Sequence, residues 1–143
     1  MSARMRFWLA LLGWIILSHP AAAKDDRDVA RFAGTYTGKY TFFAPGADEP
    51  QEGVITSTVD EKGNVTGEGT NTTVNQTAKH TGTIDADGRV KLVIEFPNAT
   101  YTCVGTAAKT KKGGMVGTLI QKSGARMMGA LEYEVTLKDS AKK

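Results

Sequence analysis

Apolar and polar residues alternate with a period of two along most of the chain after residue 34. The pattern is clearest between residues 127 and 138. One set of alternate positions there holds Met127, Gly129, Leu131, Tyr133, Val135 and Leu137. The intervening set holds Met128, Ala130, Glu132, Glu134, Thr136 and Lys138. Because successive side chains of a strand point to opposite faces, this pattern predicts a strand with one buried and one solvated face.

Segments of this kind recur at intervals of about 8 to 12 residues, a spacing typical of an all-β sandwich or barrel. Each segment is rich in Thr, Val, Ile and Tyr and is closed by Gly, Asn, Asp or Pro. They predict eight strands, at residues 34–43, 52–59, 65–74, 78–84, 89–96, 99–107, 115–121 and 127–137. Ahead of them, the stretch from Val29 to Phe32 predicts one helical turn that ends before Gly34.

The connections between these strands are short, and several contain glycine, which supplies the positive φ that tight turns need. None has room for the helical crossover that parallel strands require, so neighbouring strands should be antiparallel. Closing such a meander on itself removes its exposed edges. We therefore expect an all-β fold, a single eight-stranded antiparallel up-and-down barrel, with a two-sheet β-sandwich as the second choice. Eight strands permit either a filled interior or a ligand cavity, and the sequence leaves both open.

The first 23 residues have the three parts of a cleavable signal peptide. Arg4 and Arg6 precede a short apolar run, and Ala21 and Ala23 supply the small side chains that a signal peptidase accepts. The apolar run is about half the roughly 20 residues of a membrane-spanning helix. We expect cleavage after Ala23, no membrane anchor afterwards, and a periplasmic or secreted product.

The predicted organisation therefore has four parts. Residues 1–23 are the signal peptide and residues 24–33 are an N-terminal lead-in. Residues 34–138 form the barrel domain, and residues 139–143 form a polar tail.

Cleavage would change the charge of the chain. Loss of Arg4 and Arg6 leaves 16 basic residues against 15 acidic ones, so the net charge is +1 rather than the +3 of the full chain. Nucleic-acid binding requires a strongly basic surface, so nucleic acid is not expected as a partner. Cys103 is the only cysteine in the chain, which excludes an intramolecular disulfide.

The opening of the predicted barrel resembles that of the calycin group, which includes lipocalin-like, fatty-acid-binding and avidin-like barrels. The resemblance lies in a short turn, then Phe32 to Tyr36 as an F-x-G-x-aromatic motif, then a meander over residues 34–137. It implies a closed β-barrel. The mature chain has no tryptophan on which to stack biotin, so the shape of the barrel is what the resemblance carries over.

In an up-and-down barrel the connections alternate between the two ends. Four of them are expected at one end, namely 44–51, 75–77, 97–98 and 122–126. The first is the longest, and in a calycin-like barrel it would cover the mouth.

Five side chains are candidates to line this entrance and to bind a small, partly apolar ligand. They are Tyr40, Phe42, His80, Tyr101 and Arg126. The alternative interpretation is that the aromatic residues belong to the core and that His80 and Arg126 lie on the surface.

The sequence nominates no catalytic residue, metal ligand or cofactor. A hydrolytic triad would need His80 to meet a serine and a carboxylate, and none of Ser57, Ser123 and Ser140 lies in a G-x-S-x-G elbow. One His and one Cys do not make a zinc set, and the Asp-rich turn at 85–88 lacks the distal Glu of a calcium loop. We therefore expect a protein without enzymatic activity.

A second, local resemblance indicates a protein-binding function instead. The order Tyr101-Thr102-Cys103, then Ser123-Gly124-Ala125-Arg126, then residues 132–137 is similar to the Y-x-C, S-G-A-R and terminal strand of bacterial C-type lysozyme inhibitors. In that family a serine and a basic residue of the loop enter the lysozyme cleft. The resemblance implies that Ser123 and Arg126 would contact a protein partner.

Overall fold

The protein is an antiparallel β-barrel, as seen in a computed structural model that describes residues 29–139. Within these residues no helix has the length and hydropathy needed to cross a membrane. The strands are β1 (Gly34–Phe43), β2 (Gln51–Val59), β3 (Asn64–Asn71), β4 (Gln76–Ile84), β5 (Arg89–Phe96), β6 (Ala99–Thr106), β7 (Ala108–Lys109), β8 (Met115–Ser123) and β9 (Arg126–Asp139). The predicted signal peptide at 1–23, the first residues of the lead-in and residues 140–143 of the tail lie outside the described residues.

The sheet closes on itself. From β1 to β6 each strand pairs antiparallel with the next one along the chain, β9 pairs with both β1 and β8, and a pairing between β6 and β8 completes the circle. This confirms the predicted eight-stranded up-and-down barrel over the two-sheet sandwich. Closure leaves no long unpaired edge that could pair with another chain.

The two-residue strand β7 continues β6 after an interruption. Gly105 of β6 pairs with Leu119, and Ala108 of β7 pairs with Val116, so both segments keep one register against β8. Between them, the N–H of Ala107 donates instead to the carbonyl of Gly88 at 2.8 Å. The sixth strand of the barrel is therefore broken where it binds the turn between β4 and β5.

The turn between β3 and β4 begins earlier than the sequence pattern predicts. The third strand was expected to reach residue 74, but β3 ends at Asn71. The side-chain oxygen of Asn71 accepts hydrogen bonds from the N–H groups of Thr73 and Val74, at 3.0 and 3.2 Å. Because this side chain replaces the strand partners, the backbone turns there, and Asn75 adopts a φ of 58° before β4 starts.

A bulge at the start of β9 reverses the predicted faces of two methionines. Gln121 pairs with Gly129 and Lys122 pairs with Met127, so Met128 is an extra residue in the strand. The prediction that Met127 shares the inner face was wrong: its side chain is 49% exposed, and Met128 faces inward instead. From Gly129 onward the alternation follows the prediction.

The N-terminal turn closes one end of the barrel. Val29 and Ala30 are helical within the predicted turn of residues 29–32, and Phe32, at the end of that turn, is fully buried. The hydroxyl of buried Tyr36 donates to the carbonyl of Phe32 at 2.7 Å. Lys109 donates to that hydroxyl at 3.2 Å and to the Gly113 carbonyl at 2.8 Å. This end is therefore filled and tied together by side chains.

The opposite end carries the loops that were expected there. The connections at 44–50, 72–75, 97–98 and 124–125 lie at this end, and those at 60–63, 85–88 and 110–114 lie at the closed end with the N-terminal turn. The buried core lies towards the closed end. It is built from residues such as Phe32, Tyr36, Val59, Ile84, Val90 and Val135.

Replacing Phe32 with Ala should destabilise the barrel by about 3–5 kcal/mol, since the ring fills the closed end and its removal leaves a cavity. The free energy of unfolding from urea titration measures this. The control is Val54→Ala, at a side chain 46% exposed on the outer surface, which should change stability by no more than about 0.5 kcal/mol. Equal effects of the two substitutions would contradict the role of Phe32 in filling the closed end.

Candidate functional site

The half of the barrel away from the closed end contains a cavity of about 450 Å³. It extends from the middle of the barrel to the loops of the open end. Its walls are mainly apolar and come from nearly every strand. The lining residues are Tyr40, Phe42, Ala44, Gln51, Ile55, Gly69, Asn71, Val74, Gln76, Ala78, His80, Leu92, Ile94, Phe96, Asn98, Ala99, Tyr101, Leu119, Gln121, Met128 and Leu131.

Glycines on the inner face make room for the large side chains of neighbouring strands. A side chain at Gly53 would collide with the ring of Tyr40, its cross-strand partner. A side chain at Gly129 would lie 2.6 Å from the ring of Phe42. Each glycine therefore lets an aromatic ring lie along the wall, and the rings leave the centre of the barrel open.

Four of the five predicted ligand residues line this cavity. Tyr40 and Phe42 extend from β1, His80 from β4, and Tyr101 from β6. Tyr101 packs edge-on against Phe96, with 5.8 Å between ring centroids. Burial raises the pKa of Tyr40, so its phenol stays neutral. Their role in binding a ligand stays a prediction.

Arg126, the fifth predicted residue, does not line the cavity. It is exposed at the first position of β9 and pairs with exposed Ser123 across the two-residue turn. The side chains of the predicted protein-binding pair therefore lie on the outer surface of the open end, apart from the cavity wall.

Carboxamide side chains around the mouth were not predicted as site residues. Among the residues that line the cavity, these are Gln51, Asn71, Gln76, Asn98 and Gln121. Asn71 is buried and donates through Nδ2 to the Oε1 atom of Gln51 at 2.8 Å. The signal in the sequence was that these residues lie at or beside strand ends on the inner face, where an apolar residue would be expected.

Ser57 and His80 meet deep in the barrel across an intervening strand. In the register, Gly67 of β3 pairs with Ser57 on one side and with His80 on the other. Because Gly67 has no side chain, the imidazole crosses β3 and its Nε2 lies 2.6 Å from the Ser57 Oγ. A side chain at Gly67 would lie 2.6 Å from that same nitrogen.

Burial lowers the pKa of His80, and the nearby Glu68 carboxylate opposes this effect only in part. The imidazole is therefore neutral at pH 7. Within residues 29–139 its hydrogen-bond partner is Ser57, and no carboxylate bonds to it. The pair lacks the third group that, in a hydrolytic triad, orients the base and stabilises its protonated form.

A second void of about 50 Å³ lies below the main cavity. Ile55, Leu92 and Leu119 line both spaces, and Ser57 lines the smaller one. The Ser57–His80 pair therefore lies at the floor of the cavity, above the packed core.

Cys103 is fully buried, and burial raises the pKa of its thiol to about 12. A thiol with such a pKa stays protonated and is a poor nucleophile. In the described part of the chain, no group of three or more His, Cys, Asp or Glu side chains is placed to hold a metal ion.

Formal charges are missing from the cavity wall. Among the described residues that line it there is no Lys, Arg, Asp or Glu, and the polar groups are carboxamides, tyrosine hydroxyls and the neutral imidazole of His80. An ion that entered this space would lose its hydration without gaining a partner of opposite charge. The cavity therefore suits an uncharged molecule.

No family model matches the chain, and no curated protein or solved structure gives a significant match to it. The class of the molecule is therefore defined by its fold and its cavity. It is a closed, up-and-down eight-stranded barrel with one open end. The calycin-like and inhibitor-like resemblances stay predictions from short motifs.

Acidification should destabilise the protein through His80. The unfolded imidazole takes up a proton near pH 6.5, whereas the folded one does so only at a lower pH. Over that window the unfolded state binds more protons, so stability should fall as the pH drops from 7.5 to 5. Urea titrations at both pH values measure this, and a His80→Gln variant should lose less stability on acidification. Equal losses would show that His80 does not titrate in this way.

Proposed function

We propose that the protein is an exported, non-enzymatic barrel that binds a small, partly apolar molecule in the cavity at its open end. One observation supports this proposal most directly. The cavity of about 450 Å³ falls within the range of about 300–1,000 Å³ that is common for small-molecule sites. Its mainly apolar walls and few polar groups also have the composition of such sites.

The closed sheet makes this space a preformed site. The strands around the cavity are hydrogen-bonded on both sides. The N-terminal turn is fixed at the closed end by the hydrogen bond from Tyr36 to Phe32. A ligand would therefore enter a wall that is already ordered, which keeps the entropic cost of binding low.

The mouth favours ligands with a mixed surface. Aromatic rings and carboxamides are neighbours there: Phe42 pairs with Gln51, and Asn98 lies in the connection that directly follows Phe96. Aromatic faces contact apolar surface, while carboxamides both donate and accept hydrogen bonds. In a periplasmic or secreted setting, such a barrel would shield an apolar molecule from water.

Filling the cavity should abolish binding of an apolar probe. Ala78 is buried, lines the cavity and pairs with Gly69, so the indole of an Ala78→Trp variant would occupy the ligand space. The neutral dye Nile red should bind the wild-type protein with increased fluorescence. The variant should bind it at least about 10-fold more weakly, which corresponds to about 1.4 kcal/mol.

The matched control is Lys79→Trp, which places the same side chain on the exposed outer face of the same strand. This variant should bind Nile red like the wild type. Circular dichroism checks that both variants fold. If the dye bound equally well to folded Ala78→Trp protein, or did not bind the wild type at all, the cavity would not be the binding site.

A second candidate function is binding of a protein through the turn between β8 and β9. Ser123 and Arg126 are exposed there, and the same end of the sheet carries two exposed apolar side chains: Met127, next to Arg126 in the chain and 49% exposed, and Phe43, which pairs with Ala130 and is 43% exposed. β1 and β9 are paired at this end of the barrel. Exposed apolar surface beside a basic group is typical of protein contact surfaces.

Under this second function, Arg126→Glu should abolish inhibition of a C-type lysozyme. The substitution reverses the charge of an exposed residue, so it should leave the fold unchanged while removing the basic group that would enter the lysozyme cleft. Lysis of bacterial cell walls by lysozyme measures the inhibition. The control is Arg89→Glu at the closed end. Unchanged inhibition by the Arg126 variant, or none by the wild type, would reject this function.

A further inference from the structure

Ser57 and His80 place a polar pair at the deep end of an apolar cavity. His80 is 5% exposed and lies four residues along β4 from Gln76 at the mouth. At about 3.3 Å per residue, this separation is roughly 13 Å along the strand. A molecule that reached from the mouth to this pair would therefore be elongated.

The surroundings of the pair are apolar. Ile94 pairs with His80 across the sheet, and Leu92 and Ile55 also line the floor of the cavity. Water that enters this space therefore meets few polar groups apart from the pair itself. Removing water from a buried polar group without supplying a replacement partner costs free energy.

The bond between Ser57 and His80 leaves hydrogen-bonding capacity unused. If the serine hydroxyl donates to Nε2, the proton of the neutral imidazole is on Nδ1, and the serine oxygen can still accept. If Nε2–H donates instead, the serine proton is free and Nδ1 can accept. In either arrangement the pair retains one donor and at least one acceptor.

Different ligands would affect this pair differently. A hydrocarbon would displace water from the floor and leave the remaining donor without a partner. A hydroxyl could both donate and accept there, and a carbonyl could accept. A carboxylate would find no Lys or Arg on the cavity wall to balance its charge.

We propose that the ligand is an uncharged, elongated and mainly apolar molecule whose inner end carries a hydroxyl or carbonyl group that hydrogen-bonds to the Ser57–His80 pair. This inference rests on the proposed function of the cavity, because it specifies the ligand class of the same site. It adds a deep polar subsite to the carboxamides at the mouth.

The first test compares three probes with the same chain length: 1-decanol, decanoate and decane. Each competes with Nile red for the wild-type protein at pH 7.5. We expect 1-decanol to compete about 3- to 10-fold better than decane, a gain typical of one net hydrogen bond. Decanoate should compete more weakly than 1-decanol. Equal or tighter binding of decanoate would overturn the proposal.

The second test removes the polar pair as a unit. A double variant, Ser57→Ala with His80→Leu, leaves no buried polar group unpaired and should therefore fold. It should still bind Nile red and decane, but its preference for 1-decanol over decane should disappear. The matched control, Thr56→Ala with Lys79→Leu, changes exposed positions on the same two strands and should keep the preference.

A third measurement needs no variant. His80 is the single histidine of residues 29–139, so its ring nitrogens can be followed by NMR. Their chemical shifts should change more on addition of 1-decanol than of decane. Equal shifts, or a preference for 1-decanol that survives in the folded double variant, would overturn the deep subsite while leaving cavity binding intact. If the wild type bound neither Nile red nor any decyl probe, the proposed function would fail and this inference with it.

Discussion

The pairing between β6 and β8 turns a linear meander into a closed wall, and the interior of the molecule depends on that closure. Once the circle is complete, the volume inside is fixed by eight strands, and the side chains on the inner face decide how much of it is filled. At the closed end, Phe32 and Tyr36 fill it. Towards the mouth, glycines such as Gly53 let aromatic rings lie against the wall, so space remains in the centre.

The same use of glycine gives the cavity its polar floor. Strand β3 separates Ser57 from His80, and a side chain at position 67 would keep them apart. Closure then surrounds the pair with apolar residues, which lowers the pKa of the imidazole by burial. The contact between Ser57 and His80 therefore depends on the absence of a side chain at Gly67 of β3. The closed sheet also buries Cys103. Burial raises the pKa of its thiol, so the thiol is unreactive.

Period-two alternation predicted where most of the strands lie, and the short connections between them predicted the antiparallel, closed arrangement. The candidates Tyr40, Phe42, His80 and Tyr101 do line the interior. The alternation failed where the period itself changes. The bulge beside Lys122 adds Met128 to one strand only, and nothing in the alternation of β9 marks that insertion. The meeting of Ser57 with His80 depends on two successive registers, which the turns at 60–63 and 72–75 set. The cavity volume depends on packing in three dimensions, which a pattern along the chain does not contain.

The first and last strands of the barrel are neighbours, so the barrel cannot close before the last strand has been synthesised. The hydroxyl of Thr136 in β9 bonds to the carbonyl of Thr37 in β1, 99 residues earlier. A growing chain can form hairpins as it emerges, but β1 lacks its second partner until the ribosome has reached the C-terminal strand. Such a long-range pairing also slows folding. Until closure, any partly formed meander exposes two unpaired strand edges, and such edges are able to pair with other chains.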